Sequence, residues 1–273
     1  MKVTVLGSGS AGNSILVEAG DTRILVDAGF SGRDIEHRLE TVEVDPTSLN
    51  GIVITHEHGD HTRGMGVLAR RFGIPLHLTP ITREACATLL TGAEEVRTYS
   101  VAAPFRIGAL EVSPFLTIHD AADPVAVTLR DTGSGLKLGI ATDLGRPTVA
   151  VRHALAGCDL LILEANHDEA MLWNGPYPWS VKQRIASSHG HLSNRAAAEL
   201  AAELHHPALG GVVLAHLSDR CNDPALAEAV VGEALEALGY TGLLLVAGQD
   251  EPIEPIDVAE LRERSRPEQL QLF

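Results

Sequence analysis

The stretch "THEHGDH", Thr55 to His61, places three histidines and an aspartate directly after the apolar run "GIVI". His56 and His58 are two residues apart, so an extended backbone points both side chains to the same side. Asp60 and His61 follow where the chain turns into a helix, and they can face a second point nearby. Burying so many titratable groups is costly unless a metal compensates, and imidazole with carboxylate suits zinc, manganese or iron. We therefore predict a metal site, with two ions about 3.5 to 4 Å apart, rather than a polar loop with incidental histidines.

The 273 residues fit one large domain or two small ones, and 45% apolar residues are enough for a substantial core. The formal net charge is −15, which disfavours a surface that attracts nucleic acid over its whole area. A phosphate-binding site in this chain must therefore be local.

The cysteines predict neither a disulfide framework nor a cysteine zinc site. Cys86, Cys158 and Cys221 lie far apart, are odd in number and form no CxxC pair. The N-terminus "MKVTVLGSGS" is typical of a strand and a glycine turn, and no apolar run is long enough to span a membrane. We expect a protein of the reducing cytoplasm that is neither secreted nor inserted in a membrane.

Apolar runs and turn signals predict the order of elements. "KVTVLG", "SILVEA" and "RILVDAG" are expected strands, followed by a helix over 34–42, the strand "GIVIT", and helices over 66–72 and 82–90. Strands in "FRIGALEVSPFLTI" precede a hairpin across "DTGSG". The strands "DLLILEA", "GGVVLAH" and "GLLLVA" then alternate with helices after Ser193 and over 224–238. Two strand-rich blocks predict two sheets packed face to face with helices outside, and the hairpin signals disfavour the alternative, a doubly wound parallel sheet.

The pattern HxHxDH after a strand resembles the signature of the metallo-beta-lactamase fold. The resemblance implies an α/β (α+β) fold, a four-layered αββα sandwich, with metal ligands at strand ends along one edge. This chain offers His119 in "LTIHDAAD", Asp143 in "GIATDLG" and His216 in "VVLAHLSDR". The resemblance implies that one metal is held by His56, His58 and His119, the other by Asp60, His61 and His216, and that Asp143 bridges.

Three further segments resemble the phosphodiesterase branch of this fold, and ribonuclease Z in particular: "DLLILEANHD", "GHLSNRAAAELAAEL" and "LAHLSDR". The resemblance makes His191 a candidate general acid for the leaving oxygen, beside Asp60 at the metals. Ser193 or Asn194 is expected to be the N-cap of the next helix, whose N-terminus favours phosphate. The alternative is that His191 belongs merely to a capped loop.

Up to about residue 258 the chain resembles the YycJ/WalJ-type DNA exonucleases of bacteria. The segments concerned include "GSGSAGNS", "DAGFSGRDIEHRL", "THEHGDHTRGMGVLARRFGIP" and "EANHDEAMLWNGPYPWSVKQRI". Ala11 and Gly59 depart from the serines that are more typical there. The resemblance implies a two-metal 5′ to 3′ DNA exonuclease of repair that uses manganese or zinc, and it favours manganese for activity. Asp143 and His216 are only 73 residues apart, which leaves no room for the inserted domain of the ribonuclease J group.

Cations and aromatic rings cluster between Glu169 and Glu199, where no acidic residue occurs. Cations suit phosphates and flat rings suit unpaired bases, as in a groove for a single strand. The alternative is that "WNGPYPWS" is a rigid loop with its rings packed inward. For Asn13 and Ser14 a structural role beside the metals is equally open. The candidate substrate contacts are Asn13, Ser14, His167, Tyr177, Trp179, Lys182, Arg184, Ser193 and Asn194.

The C-terminal "QLQLF" resembles the peptide with which bacterial replication and repair proteins dock on the DNA polymerase sliding clamp. It matches at Gln269, Leu270, Leu272 and Phe273, after the polar run "RERSRPE". We therefore divide the chain into a metallo-beta-lactamase-fold catalytic domain over 1–261 and a flexible tail over 262–273. The clamp would bring an acidic enzyme to DNA by raising its effective concentration there. The alternative is a last strand or a frayed end.

The predicted function is a two-metal DNA exonuclease tethered to the sliding clamp. Its enzymatic alternative is a phosphodiesterase of the ribonuclease Z kind that acts on RNA or on cyclic nucleotides. An alternative of another class is a non-catalytic clamp-binding protein whose metals only stabilise the fold.

Overall fold

Two mixed sheets form the centre of the structure, a computed structural model that describes residues 1–265. The strands are β1 Lys2–Gly7, β2 Ser14–Ala19, β3 Thr22–Val26, β4 Gly51–Val53, β5 Leu76–Leu78, β6 Val96–Thr98, β7 Phe105–Ile107, β8 Leu110–Leu116, β9 Val125–Asp131, β10 Lys137–Ala141, β11 Leu160–Glu164, β12 Gly211–Ala215, β13 Leu243–Val246 and β14 Ile256–Asp257. The helices are α1 Gly32–Thr41, α2 Gly59–Thr62, α3 Met65–Phe72, α4 Pro80–Ala85, α5 Val149–Leu155, α6 Glu169–Asn174, α7 Trp179–Ile185, α8 Asn194–Leu204, α9 Pro224–Glu236 and α10 Val258–Ser265.

Each sheet combines an antiparallel part with a parallel part. The first sheet has the order β14-β1-β2-β3-β4-β5-β6 and is parallel from β3 to β6. The second has the order β13-β12-β11-β10-β9-β8-β7 and is parallel from β10 to β13. The predicted hairpin is the antiparallel pair β9 and β10, in which Lys137 faces Arg130. Two sheets with outer helices confirm the predicted sandwich, and the doubly wound alternative is wrong.

Successive side chains of a strand point to opposite faces of its sheet, and both faces are covered by apolar layers. The strands are therefore apolar along their whole length. Ile24 packs in the cluster that joins both sheets, with Leu129 of β9. Its neighbour Leu25 packs on the other face, with Ile35 of α1 and Leu68 of α3. The second sheet has the same arrangement against α5, α8 and α9. This packing fixes both sheets relative to each other and so fixes the edge where their loops meet.

The loops after β3, β4, β8, β10, β11 and β12 lie along one edge of the sandwich. Parallel neighbours end on the same side, and β8 runs in the direction of β10 because β9 is antiparallel to both. A polar residue that directly follows a buried strand in this part of the chain therefore lies at this edge. Open α/β sheets bind ligands at the carboxyl ends of their strands for the same reason.

Several short elements differ from the predicted ones. The helix expected over 82–90 is divided into α4 and a 3-10 turn at Ala87–Leu89. "WNGPYPWS" spans the end of α6 and the start of α7. Helix α10 runs through residue 262, where the tail was predicted to begin, and the division of the chain remains a prediction. The predicted docking residues Gln269, Leu270, Leu272 and Phe273 lie outside the described residues. Within residues 1–265, no helix has both the length and the apolar character needed to cross a membrane.

Candidate active site

The histidine motif lies at the end of β4, where α2 begins at Gly59. The neighbouring strand β3 is followed by Asp27, whose carboxylate accepts hydrogen bonds from the backbone N–H of Thr55 at 2.8 Å and from its hydroxyl. The same carboxylate lies 2.8 Å from Nδ1 of His61, which is fully buried. The loop that follows β3 thus fixes the histidine motif that follows β4.

The structure brings the seven predicted metal ligands together. His56, His58 and His119 form one group, Asp60, His61 and His216 form a second, and Asp143 groups with His56 and His61; within each group the donor atoms lie within 4.8 Å of one another. Oδ2 of Asp143 is 3.2 Å from Nε2 of His61, and its Oδ1 is 3.5 Å from Nε2 of His119. Asp143 therefore lies between the two groups, at the position expected of a bridge.

The spacing of the donors fits metal coordination. Nε2 of His216 is 3.4 Å from Oδ2 of Asp60, and Nε2 of His119 is 3.4 Å from Nδ1 of His58. Two donors that each bind one zinc ion at about 2.1 Å in a tetrahedron are roughly 3.4 Å apart. The groups therefore have the dimensions of metal sites without any movement of the chain.

Four of the histidine rings are fixed through Nδ1, which leaves Nε2 for the centre. Nδ1 of His61 lies 2.8 Å from Asp27, that of His216 lies 2.9 Å from Glu164, and that of His119 lies 3.1 Å from the Gly190 carbonyl. Nδ1 of His56 lies 3.0 Å from the Thr55 hydroxyl. Metal-binding histidines use such outer contacts to set the tautomer and the orientation of the ring.

Two buried atoms at the centre have no hydrogen-bond partner within the described chain, namely Nε2 of His56 and Oδ2 of Asp143. A buried polar atom without a hydrogen bond destabilises the folded state. Each of these two atoms has a lone pair that a bound cation would accept. The histidine and aspartate clusters thus fit divalent metal ions. Nitrogen and oxygen donors without sulfur suit both manganese and zinc, so they do not distinguish between these ions.

The carboxylates and the imidazoles at the centre stabilise each other's charged forms. Burial opposes ionisation of Asp143, yet His216 and His61 hold the pKa of its carboxyl well below the usual range. Burial opposes protonation of His216, but the charge of Asp143 and the hydrogen bonds that the ring donates to Asp60 and Glu164 raise its pKa to about 10. A bound metal ion would supply the positive charge that protonated histidines supply here, and the histidines would lose their protons. The affinity for metal is therefore expected to increase with pH.

Three residues at the centre have left-handed backbone conformations. The φ angles are 64° for Asp27, 58° for Asp143 and 57° for His216; Asp27 and His216 directly follow strands, and Asp143 is the second residue after β10. Non-glycine residues rarely adopt this region, and such strain concentrates at functional sites. The turn stops the strand and directs the chain along the edge where the clusters lie.

Glu164, which was not among the predicted site residues, joins the candidate acid to the metal centre. Its Oε1 lies 2.7 Å from Nδ1 of His191 and 2.9 Å from Nδ1 of His216, while Oε2 accepts from the backbone N–H of Leu144 and Leu192. Burial opposes its ionisation, but the two histidines lower the pKa of Glu164 to about 2. Its signal in the sequence is the one used for Asp143: a carboxylate that ends an apolar run, "LLILE".

An open cleft of about 260 Å³ borders the clusters. His58, Asp60, His119, Asp143 and His216 line one side of it together with His191. Tyr177 and Arg184, from the aromatic and basic stretch, line the other side. The structure thus places part of the predicted single-strand groove beside the predicted metal ligands.

Four predicted substrate contacts do not line the cleft, and their role in substrate binding stays a prediction. Ser14 is fully buried and donates to the Asp27 carbonyl, and Asn194 exchanges two hydrogen bonds with Asn222. The buried Lys182 donates to the carbonyl of Trp173 at 2.8 Å. Their polar groups are satisfied inside the protein, which gives them structural roles.

Asn13 is the fourth of these residues. Its Oδ1 accepts from the Ser8 hydroxyl, which in turn accepts from the backbone N–H of His216, and its Nδ2 lies 3.3 Å from Nε2 of His61. Asn13 is buried and does not line the cleft. Its contacts instead help to position His61, at the edge of the first sheet, and His216, at the edge of the second.

Three other predicted contacts, Trp179, Ser193 and His167, do not line the cleft, although Ser193 and His167 line a neighbouring cavity. Trp179 is 64% exposed and its ring is 5.2 Å from that of Trp173, which excludes inward packing for both tryptophans. Ser193 is the N-cap of α8, since its hydroxyl accepts from the N–H of Ala196, and Asn194 is the first helical residue. His167 is buried next to Ser193.

Two sheets packed face to face, with histidines and aspartates gathered at one edge, are the arrangement of metallo-beta-lactamase-fold hydrolases. A family model described as "Beta-lactamase superfamily domain" matches residues 22–216. The match covers more than half of the chain, and the chain belongs to this family.

Comparisons with individual proteins agree with the predicted resemblance. Exodeoxyribonuclease YycJ of Bacillus anthracis is 36% identical over 239 residues, which are 87% of this chain and 90% of that protein. Ribonuclease Z of Aeropyrum pernix is 38% identical over 89 residues, 29% of this chain and 27% of that protein. The crystal structure of the metallo-beta-lactamase fold protein YhfI from Bacillus subtilis has a TM-score of 0.70 at 19% identity and covers 92% of this chain and 98% of its own, which supports the fold alone.

Proposed function

We propose that this chain is a metal-dependent phosphodiesterase that removes nucleotides from the 5′ ends of DNA. The observation that carries the proposal is the pair of Glu164 and His191 beside the metal centre. Nδ1 of His191 lies 2.7 Å from Glu164 and 3.8 Å from Oδ1 of Asp143. Such a pair is useful where a leaving oxygen needs a proton, as in the hydrolysis of a phosphodiester. The name of the relative YycJ supports DNA as the substrate.

In the reaction, a water oxygen forms a bond to phosphorus and the bond from phosphorus to the leaving oxygen breaks. Two divalent ions, held by the seven candidate ligands, would supply Lewis acidity and an activated water. Glu164 fixes Nδ1 of His191, so Nε2 is the nitrogen that gives a proton to the leaving oxygen. Burial disfavours the charged ring, but Glu164 outweighs it and raises the pKa of His191 above its ordinary value, which favours the protonated acid.

The cleft favours a single strand. The guanidinium of Arg184 is largely exposed at the cleft, where it can contact a phosphate, and the ring of Tyr177 can contact an unpaired base. Asp120 lies 3.6 Å from Arg184, which limits the positive charge to a small area in a protein of net charge −15. The substrate is therefore expected to be held locally at its end.

The direct test is a cleavage assay with matched DNA and RNA single strands, labelled at either end, with and without a 5′-phosphate, in manganese or zinc. We expect stepwise loss from the 5′ end of DNA and no cleavage by Asp60→Ala. His191→Ala should lose about 10²- to 10⁴-fold on DNA. It should retain hydrolysis of bis(p-nitrophenyl) phosphate, because p-nitrophenolate leaves without a proton.

The exposed variant Glu199→Gln serves as the control for folding and metal content. Cleavage of RNA alone would replace the proposal with a function of the ribonuclease Z kind. Metal binding without turnover of any substrate would favour a non-catalytic clamp-binding protein.

We further propose that the tail docks on the DNA polymerase sliding clamp in the cytoplasm, where the enzyme would act in repair. The support is the match of "QLQLF" at Gln269, Leu270, Leu272 and Phe273. Truncation after Ser265 should abolish clamp binding, measured by surface plasmon resonance, and leave cleavage of short oligonucleotides unchanged. Leu272→Ala with Phe273→Ala should have the same effect, since apolar anchors dominate such interfaces. Equal clamp binding by the full and truncated chains would refute the tether.

A further inference from the structure

A second cavity, of about 300 Å³, adjoins the cleft at His191. The two spaces share His191 as a lining residue. The second one is otherwise formed by the start of α8, by α6, by the loops before these helices and by Gly145 after β10. Its lining includes His167, Glu169, Trp173, Ser193 and Ala196. The volume is at the lower end of the range for small-molecule sites, which suits a single nucleoside and excludes a duplex.

The lining combines a ring with polar groups. Trp173 is 42% exposed, so part of its surface is free to stack on a base. His167 is only 3% exposed, and its Nδ1 has no hydrogen-bond partner in the part of the chain that the structure describes. The Ser193 hydroxyl lies 3.2 Å from Oε1 of Glu169. These groups offer donors and acceptors for a sugar and a base, while the carboxylate of Glu169 disfavours a phosphate at the same point.

We propose that this cavity binds the nucleoside that departs with the leaving oxygen. The inference rests on the proposed function, in which His191 protonates that oxygen. In an in-line displacement, the group attached to the leaving oxygen lies beyond the acid that protonates this oxygen. The acid here is His191, and the cavity lies beyond His191 when viewed from the cleft. For attack near a 5′ end, the leaving oxygen is O3′ of the terminal nucleotide. Room for a single nucleoside then explains why nucleotides are removed one at a time from an end.

The first experiment measures binding without turnover. The two tryptophans of the protein, Trp173 and Trp179, both lie in this region, so their fluorescence reports on the cavity. Titration of the full-length protein with deoxyadenosine, which has no phosphodiester to cleave, should quench the fluorescence. Ala196→Met should reduce the quenching about tenfold or more at equal nucleoside, because the longer side chain fills the cavity while both tryptophans remain. Leu238→Ala, at a distant exposed leucine, is the control and should behave as the wild type.

The second experiment compares two substrates. Trp173→Ala should lower kcat/KM for a DNA oligonucleotide roughly tenfold or more, the scale of a lost base stack, and leave bis(p-nitrophenyl) phosphate hydrolysis within twofold. Trp173→Phe keeps a ring and should restore most of the activity. Unchanged quenching by Ala196→Met, or equal losses on both substrates, would overturn the cavity assignment. Quenching as expected in a protein that cuts no DNA would instead refute the proposed function and leave the nucleoside site in place.

Discussion

At the scale of single residues, the centre is set by the outer contacts of its histidines. Each of His56, His61, His119 and His216 has an oxygen near Nδ1, and the oxygens come from four different segments of the chain. The motif "THEHGDH" predicted which residues gather, because neighbouring side chains on one strand end must meet. Thr55 belongs to the motif itself, but the motif could not predict Asp27, Gly190 and Glu164, which meet the rings only through the fold.

Glu164→Gln tests the most connected of these partners. The amide would present N–H groups where two Nδ1 atoms now face a carboxylate, so His191 and His216 would lose their orientation. We expect a loss of about 10- to 100-fold in kcat or in metal affinity, the usual cost of removing such a support. Steady-state kinetics on a phosphodiester and metal analysis of the purified protein measure the two effects. Activity within twofold of the wild type, beside an unaffected Glu199→Gln, would contradict the role.

Lys182 illustrates what the pattern of charges cannot predict. The absence of acidic residues between Glu169 and Glu199 suggested free cations, yet the ammonium group of Lys182 joins α7 to the end of α6. Whether a lysine meets solvent or a carbonyl depends on the fold of the segment, which neither composition nor spacing determines. Arg184, two residues on, does reach the cleft.

At the scale of elements, the loop after β3 lies directly against the motif loop. An added Cβ at Gly29 would lie 1.6 Å from the carbonyl oxygen of Asp60, whereas one at Gly59 would have no neighbour within 4 Å. The same carbonyl accepts from the backbone N–H of Asn13 at 2.8 Å. The two loops therefore leave no space between them, although the motif itself has an open side.

Gly29→Ala should displace the Asp60 carbonyl and destabilise the fold by about 1 to 3 kcal/mol or more, the cost of overpacking. Metal affinity should fall with it. Gly59→Ala, in the same motif, should keep metal affinity and leave stability unchanged or higher by up to about 1 kcal/mol, since alanine favours a helix. Urea unfolding of the metal-free variants and metal titrations measure the difference. Equal stability of the two variants would show that the loops separate easily.

A histidine in β5 should make the stability of the first sheet depend on pH. Burial, with a contribution from Arg97, lowers the pKa of His77 from 6.5 to about 4. The ring stacks on Phe105 with the centroids 5.3 Å apart. The unfolded chain thus binds a proton at a higher pH than the folded one, and the stability contributed by neutral His77 is lost as pH falls from 6.5 towards 4.

His77→Phe keeps the stacked ring and removes the proton. Urea unfolding of both proteins between pH 7.5 and 4 should show the wild type losing more stability than the variant over this interval. Parallel curves would mean that His77 titrates normally. The comparison cancels the contributions of the other histidines, because only one residue differs.

Short elements were the least predictable. Helices α6 and α7 have 6 and 7 residues, too few for a helical period to emerge, and Gly175 and Pro178 suggest a loop between them. They form because Leu172, Ile185 and Cys221 bury a small apolar cluster of their own. The long strands and α8 followed from the sequence, since each has a continuous apolar run or face.

At the scale of the whole molecule, the metal centre joins both sheets. His56, His58 and His61 follow β4 of the first sheet, and Asp143 and His216 follow β10 and β12 of the second. The two sheets and their helices could be predicted from hairpin signals and apolar runs. The pairing of β1 with β14 could not, because Lys2 and Asp257 come from opposite ends of the chain.

Metal removal should therefore lower the stability of the entire fold. An ion that binds only the native state at a hundredfold excess over its Kd stabilises by about 2.7 kcal/mol. For a chain of this size we expect manganese or zinc to raise Tm by roughly 5 to 10 °C, and a chelator to reverse the rise. Asp143→Asn should abolish the shift, measured by differential scanning fluorimetry. An equal shift in that variant would place the binding elsewhere.

The position of the donors along the chain has a consequence for biosynthesis. Four of the seven precede residue 62, but the last, His216, comes 155 residues after His61. A nascent chain emerging from the ribosome exposes the histidine motif long before the second sheet exists to complete the set. The complete set of donors therefore exists only after His216 has been synthesised, and until then other cellular ligands can bind the early motif.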